Sequence, residues 1–411
     1  MSGIAYGISG TDWQERINYP RMRQERLSKA QTAMKKHGIA ACIVNRPDNI
    51  RYLTGVKGPE FAPALRYALG FAEYDPVVYE LGDMLEHNRV HCTWIKPENW
   101  RFSYCWLGGI GGPESSWDAA KKWAATIADD LKKKGVLNEK IGVDGMDEFA
   151  SRALAELGIT TVPVMPAMME ARRTKTVDEI NCTKMATAIC NAAFYTCAAF
   201  SRPGVRDCDV GAEGLRTLMR SGADYCNAGS RSGPNTFEMY HMSNMDRLIN
   251  LGDLQTVNLC GTGFMGMRTC LYRSFIVGRD PNQKEKGFYK KCHDRVFSVI
   301  DEIKPGATTA DAAKHFAQAS DYHYEANERL LVAEVGHGVG LATYEQPVIS
   351  RIFSFDHPLV FEPGMVIAIE CREGEPGYGG VRLEENVVVT DTGHEVISTW
   401  PSDELVPAGV L

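Results

Sequence analysis

GHGVGL (336–341), AIECREGEPGYGG (368–380) and VRLEENVVVT (381–390) lie close together in the last third of the chain, and their reading decides the fold. Two apolar, strand-like runs each carry a carboxylate. MVIAIE (365–370) ends on Glu370, and Glu384 stands inside VRLEENVVVT. Burying a bare carboxylate in such a run is costly, so each needs a partner, a metal or a functional role. His337 adds an imidazole, set among three glycines that let backbone and ligand come close. A His and two Glu on strand-like segments suit a metal site or an acid–base site. A turn that merely needs glycine is the plainer reading of GHGVGL.

Upstream, VNLCGTGFMGMRTCLYRSF (257–275) is where such a metal site would need carboxylates, and it offers Asn258, Cys260 and Cys270. Most free cysteines are small buried hydrophobes. The alternative joins Cys260 and Cys270 to His337 as soft ligands, which favours zinc over manganese. His241 lies in FEMYHMSNMD (237–246), twelve residues before Asp253, among Ser, Asn and Met that suit a loop or a strand end. It reads either as a structural imidazole or as a general base or acid that titrates near neutrality. Arg66 follows KGPEFAPAL (57–65). Surface arginines are usually solvated, yet a rigid guanidinium fork is a natural receptor for a substrate carboxylate.

The 411 residues call for two domains, and 44% apolar with 24% charged residues is the balance of a globular enzyme. A net charge of −7 without a basic run excludes nucleic acid as the expected partner. No apolar run is long enough to span a membrane, and the N-terminus lacks the pattern of a secretory signal. Twelve scattered cysteines read as reduced thiols of a cytoplasmic protein. Helical spacing is expected over 21–37, strands over 39–45 and 140–145, and a turn into a strand over 46–55. Helices are expected over 117–134 and 147–158, giving an α/β domain over 1–172. A long helix reaching Phe200 then opens a second domain, 173–411, with helices near 207–221, 283–303 and 308–320. Its strands form a curved sheet in an α+β arrangement.

HGVGL with His337, EPGMVIAIE ending at Glu370 and GGVRLEENVVVT with Glu384 resemble the pita-bread family of Xaa-Pro dipeptidases, methionine aminopeptidases and creatinase. PDNIRYLTG (47–55) and RYALGF (66–71) resemble the two-domain branch of prolidase and creatinase. The resemblance implies a creatinase-like α/β N-terminal domain, a pita-bread catalytic domain and a homodimer. The family's metallopeptidases hold two divalent metals with two Asp, one His and two Glu. His337, Glu370 and Glu384 fall on the last three positions, while Cys270 and the Asn258–Cys260 stretch fall where the Asp residues belong.

Creatinase works without metal. Its Asn–Cys pattern resembles Asn258 and Cys260, its catalytic His is similar in spacing to His241, and Glu370 falls on a substrate-binding glutamate. Arg66 is similar in context to an arginine that reaches the neighbouring subunit's site. Tyr272 stands where creatinase has a second glutamate, and Glu384 where it has a histidine. These likenesses imply a metal-independent hydrolase of a C–N bond in a small zwitterion, either an amidine, a guanidino compound or a betaine-like osmolyte. His241, His337, Glu370 and Glu384 would be catalytic, and Arg66, Tyr272 and Asn258 would bind substrate. Two alternatives are kept. One is a lyase resembling those acting on dimethylsulfoniopropionate, with Tyr272 or His241 as base. The other is a metallopeptidase with His337, Glu370, Glu384, Cys260 and Cys270 as altered ligands.

Overall fold

The computed structural model describes residues 17–58, 66–237 and 246–409. They form two units, Asn18–Arg172 and Arg173–Leu411. In the first, α1 (Tyr19–Lys36) opens with Pro20 in its first turn and the Asn18 side chain accepting from the Arg21 N–H, and it closes on Lys35 and Lys36. Both ends thus follow ordinary capping and dipole rules. Next come β1 (Ala41–Val44), α2 (Pro47–Thr54), β2 (Tyr67–Phe71), β3 (Val77–Glu80), α3 (Gly82–His91) and β4 (Trp100–Phe102). They are followed by α4 (Pro113–Lys133), β5 (Ile141–Val143), α5 (Glu148–Glu156), β6 (Thr161–Pro163) and α6 (Met165–Arg173). The strands make one mixed sheet in the order β4-β3-β2-β1-β5-β6. Its core joins Ile43, Leu69 and Phe71 to Trp123, Ile127 and Leu131 of α4.

The strand expected after residue 46 is a helix. Pro47 sits at the start of α2, where its missing N–H is not needed, and Gly55 ends it with a left-handed φ of 71°.

In the second unit α7 (Val177–Phe200) starts with a capping box between Thr176 and Glu179. It is followed by α8 (Asp207–Arg220), β7 (Gly229–Ser232), β8 (Leu254–Asn258), β9 (Gly263–Phe264), β10 (Met267–Arg268) and β11 (Tyr272–Val277). The rest comprises α9 (Gln283–Asp301), α10 (Thr309–Ala313), β12 (Val335–Gly338), β13 (Glu345–Ile349), β14 (Val366–Glu375), β15 (Gly379–Val389), β16 (His394–Val396) and β17 (Val406–Ala408). The helix expected over 308–320 shortens to α10, with a separate 3₁₀ turn at Ala319–Tyr322. A four-stranded sheet, β17-β11-β8-β7, stands beside a five-stranded one, β13-β12-β14-β15-β16. One apolar core runs from Val296, Val299 and Ile300 of α9 to Ile367, Ile369, Leu383 and Val387.

Hydrogen bonds stitch the two sheets together at β11 and β15. Ser274 Oγ accepts from the Arg382 N–H at 2.8 Å and donates to the Arg382 carbonyl at 3.0 Å. The Arg273 guanidinium donates to the Glu384 carbonyl and pairs with Glu385 at 2.9 Å, both side chains being buried. The backbone that carries Arg382 and Glu384 is therefore fixed from the neighbouring sheet. Among the described residues no helix is long and apolar enough to cross a membrane, and all twelve cysteines are free.

Candidate active site

Strand register places Glu370 of β14 directly opposite Glu384 of β15. Successive side chains on a strand alternate faces, so Arg382, two residues before Glu384, shares their face. His337 of β12 lies opposite Ala368, two residues from Glu370, and joins the same face. From the other sheet, Asn258 of β8 is paired with Tyr272 of β11. The glycines around His337 have a packing reason. A Cβ at Gly338 would collide with the Gln346 carbonyl, and one at Gly340 with the Glu345 side chain.

Two like charges facing each other across a ladder repel, and both glutamates are fully buried. Arg382 answers part of this: its guanidinium donates to Glu370 Oε2 at 2.7 Å and to the Val332 carbonyl at 2.8 Å. It also lies 4.2 Å from the centre of the Tyr272 ring. Burial pushes the Glu370 carboxyl up to about 8 against the pull of Arg382, with Glu384 adding to the rise. Cys260 Sγ donates to Glu384 Oε2 at 3.3 Å, and the Cys260 N–H donates to Asn258 Oδ1 at 2.7 Å. Asn258 Nδ2 in turn donates to the Tyr272 hydroxyl at 3.0 Å.

His337 Nδ1 lies 3.2 Å from the Gly338 carbonyl, which can only accept, so the ring proton belongs on Nδ1. Nε2 then presents a lone pair toward Glu384 Oε1, 3.7 Å away. That is beyond hydrogen-bond length, and both atoms are buried without a partner. Burial pulls the imidazole down, but Glu384 and Glu370 outweigh it and leave the ring raised. The Tyr344 ring covers the imidazole at 4.1 Å between centres.

The structure brings His337, Glu370, Glu384, Asn258, Tyr272, Cys260 and Cys270 together. Arg66 lies in the first unit. Its guanidinium is 2% exposed and 3.0 Å from a fully buried Glu80. The role expected of Arg66 in a neighbouring subunit's site would require it to leave Glu80 unpaired. Burial pushes the Tyr272 phenol well above its ordinary value. His241 lies outside the described residues. Asp253, twelve residues on, is held by Arg247 at 2.5 Å and by the Asn250 N–H at 2.7 Å. Sequence reasoning missed Arg382 altogether. The signal was present, because the strand alternation that singles out Glu384 puts Arg382 on the same side.

Two groups of potential ligand atoms, each gathered within 4.8 Å, share Glu384: Cys260 with Cys270, and His337 with Glu370. A pair of hard divalent ions does not fit them. Such ions want several oxygen donors, and among the described residues the two groups hold two carboxylates, one of them already engaged by Arg382. The thiols are soft sulfur donors, which suit zinc rather than a pair of hard ions; without a bound ion, burial pushes Cys260 up to about 12 and Cys270 well above its ordinary value.

Residues 181–391 match the model of metallopeptidase family M24, and residues 26–173 match that of the creatinase/prolidase N-terminal domain. An uncharacterized peptidase, YqhT, from Bacillus subtilis is 29% identical over 68% of this chain and 78% of its own. The dimethylsulfoniopropionate lyase DddP from Roseovarius nubinhibens is 23% identical over 69% of this chain and 65% of its own. A prolidase structure from Thermococcus sibiricus has the same fold, with a TM-score of 0.74 at 21% identity over 94% of this chain and 99% of that one.

Proposed function

The chain belongs to metallopeptidase family M24, and from that premise we propose that it is a metal-independent hydrolase cleaving a C–N bond in a small zwitterion. The observation that carries this reading is the facing pair of acceptors, His337 Nε2 and Glu384 Oε1, buried 3.7 Å apart with no donor between them. Two buried lone pairs are expensive to leave unmet. An N–H-bearing cation inserted there would donate to both and meet the negative charge of Glu384. Such a group is an amidinium, a guanidinium or a protonated amine. A quaternary ammonium or a sulfonium has no N–H to give, so the pair favours the amidine and guanidino classes over betaine-like ones.

In this reading Glu384 and His337 hold the cationic nitrogen and orient the adjacent carbon. A water oxygen adds to that carbon, the C–N bond breaks, and a proton passes to the leaving nitrogen. His337, with its proton on Nδ1, accepts from the cationic nitrogen at Nε2, and His241 is the proposed proton shuttle. Arg382 keeps Glu370 from competing with Glu384 for the cation. The enzyme is taken to act as a cytoplasmic homodimer.

Two other readings have a specific support. The likeness to DddP favours elimination from a propionate-type substrate, and the cluster of Cys260, Cys270 and Glu384 favours a soft-metal peptidase. One experiment separates the three. Purified enzyme is incubated with guanidino and amidine acids, dimethylsulfoniopropionate and an Xaa-Pro dipeptide, and the products are identified by mass spectrometry. Release of an amine or urea from the first group supports the proposal. An alkene product, or cleavage of the dipeptide alone, overturns it.

A further inference from the structure

Arg231 of β7 lies opposite Thr256, which lies opposite Ser274, and Gly229 lies opposite Asn258, which lies opposite Tyr272. The alternation therefore sets Arg231, Thr256, Asn258 and Tyr272 on one face of the four-stranded sheet. With Gly229, Thr236 and Arg382 they line one small cleft. Gly229 keeps it open, since a Cβ there would meet only Asn258, at 4.0 Å. Two guanidinium groups thus share one small space. Arg231 has no ion-pair partner among the described residues, and its Nε is buried without an acceptor. On Arg382, Nε and Nη1 are likewise buried and unmet, although Nη2 serves Glu370 and Val332. Burial lowers the Arg231 guanidinium from its ordinary value, as happens to a cation short of counter-charge.

Buried donors on two like charges call for an acceptor with negative charge and more than one oxygen. We infer that Arg231, together with the unengaged edge of Arg382, receives the carboxylate of the substrate. The Asn258–Tyr272 pair lines this subsite, and Cys260 links it to Glu384, its N–H donating to Asn258 and its Sγ to Glu384. This deepens the proposed reaction and rests on it for the identity of the other end of the substrate. The cleft becomes bipolar, with a guanidinium wall for the carboxylate and an acidic wall for the cationic nitrogen. The role expected of Arg66 passes to an arginine of the catalytic unit itself.

The test uses the full-length protein, its Arg231→Gln and Arg231→Lys variants, and Glu384→Gln. Thermal shifts are first recorded with propionate against chloride at matched ionic strength, which probes the carboxylate subsite alone. The wild type and Arg231→Lys should be stabilised by propionate, and Arg231→Gln should not. Equal shifts in wild type and Arg231→Gln, or none in the wild type, would overturn the inference. Calorimetric titrations with 3-guanidinopropionate and propylguanidine then separate the two walls. Arg231→Gln should weaken the acid by roughly tenfold or more and leave propylguanidine unchanged. Glu384→Gln should weaken both guanidines but not propionate. If 3-guanidinopropionate binds no tighter than propionate while propionate still depends on Arg231, the carboxylate subsite stands and the cationic reading falls.

Discussion

Replacing Arg382 by Met removes the cation paired with Glu370. The pair is 2.7 Å long with side chains 3% and 1% exposed, and breaking a buried pair of this kind costs about 3–5 kcal/mol. The Tyr272 contact at 4.2 Å is lost as well, worth about 1–2 kcal/mol for a desolvated cation over a ring. Glu370 can soften the loss by holding a proton. Its carboxyl is pushed from an ordinary 4.5 up to about 8, so the folded protein keeps a proton that the unfolded chain releases between those values. Native stability therefore falls as pH rises through that window and levels off above it. Without Arg382 the carboxyl rises further, so the window widens toward alkaline pH. The variant should lose about 2 kcal/mol at pH 6 and about 3–3.5 kcal/mol at pH 9, since each unit by which the carboxyl rises above 8 adds about 1.4 kcal/mol. Thermal melts at the two pH values, with Glu370→Gln added to each background, check this. The double variant should recover most of the alkaline loss. Equal losses at both pH values, or no recovery by Glu370→Gln, would refute the reasoning.

Three further outcomes follow from the same geometry. Affinity for propylguanidine, whose charge does not change in this range, should rise between pH 7 and pH 9 as Glu370 loses its proton, and the slope should vanish in Glu370→Gln. A titration series at both pH values reads this directly, and a fall in wild-type affinity would contradict it. Cys260→Ser with Cys270→Ser should retain most activity on the proposed metal-independent reading, because serine still donates to Glu384; loss of turnover with intact folding would point to ligation. Lys175 and Glu345 form a buried pair at 3.0 Å, each side chain 1% exposed, beside the glycine turn that carries His337. Lys175→Met should lower stability by about 3–5 kcal/mol, visible as a drop in melting temperature, and activity should fall with the fold.

Much of the site was legible before the structure because strand alternation and glycine spacing are local. Glu370 and Glu384 stand out in apolar runs, and burial with partners is the only cheap solution for them. Arg382 obeys the same alternation, but an arginine in a strand reads as an edge or surface residue until its carboxylate partner is known. Arg231 was hidden for a related reason: GSRS (229–232) has no apolar pattern, and only the pairing with β8 and β11 reveals which face it joins. Ile50, Tyr52 and Leu53 suit a strand as well as a helix, so the apolar residues of 46–55 do not decide between them. The proline at the start and the glycine at the end mark a helix more strongly. Arg66 shows the limit of context. The sequence gives it a loop-like approach, while its burial against Glu80 depends on a residue fourteen positions on.

The central claim is that the acidic pocket answers to a cationic substrate rather than to bound metal. Elemental analysis of the purified full-length protein, before and after incubation with manganese, cobalt and zinc and desalting, tests it most directly. The account expects far less than one ion per chain in every case, with activity unchanged by chelator. One or two tightly retained ions per chain, lost together with activity on chelation, would contradict it.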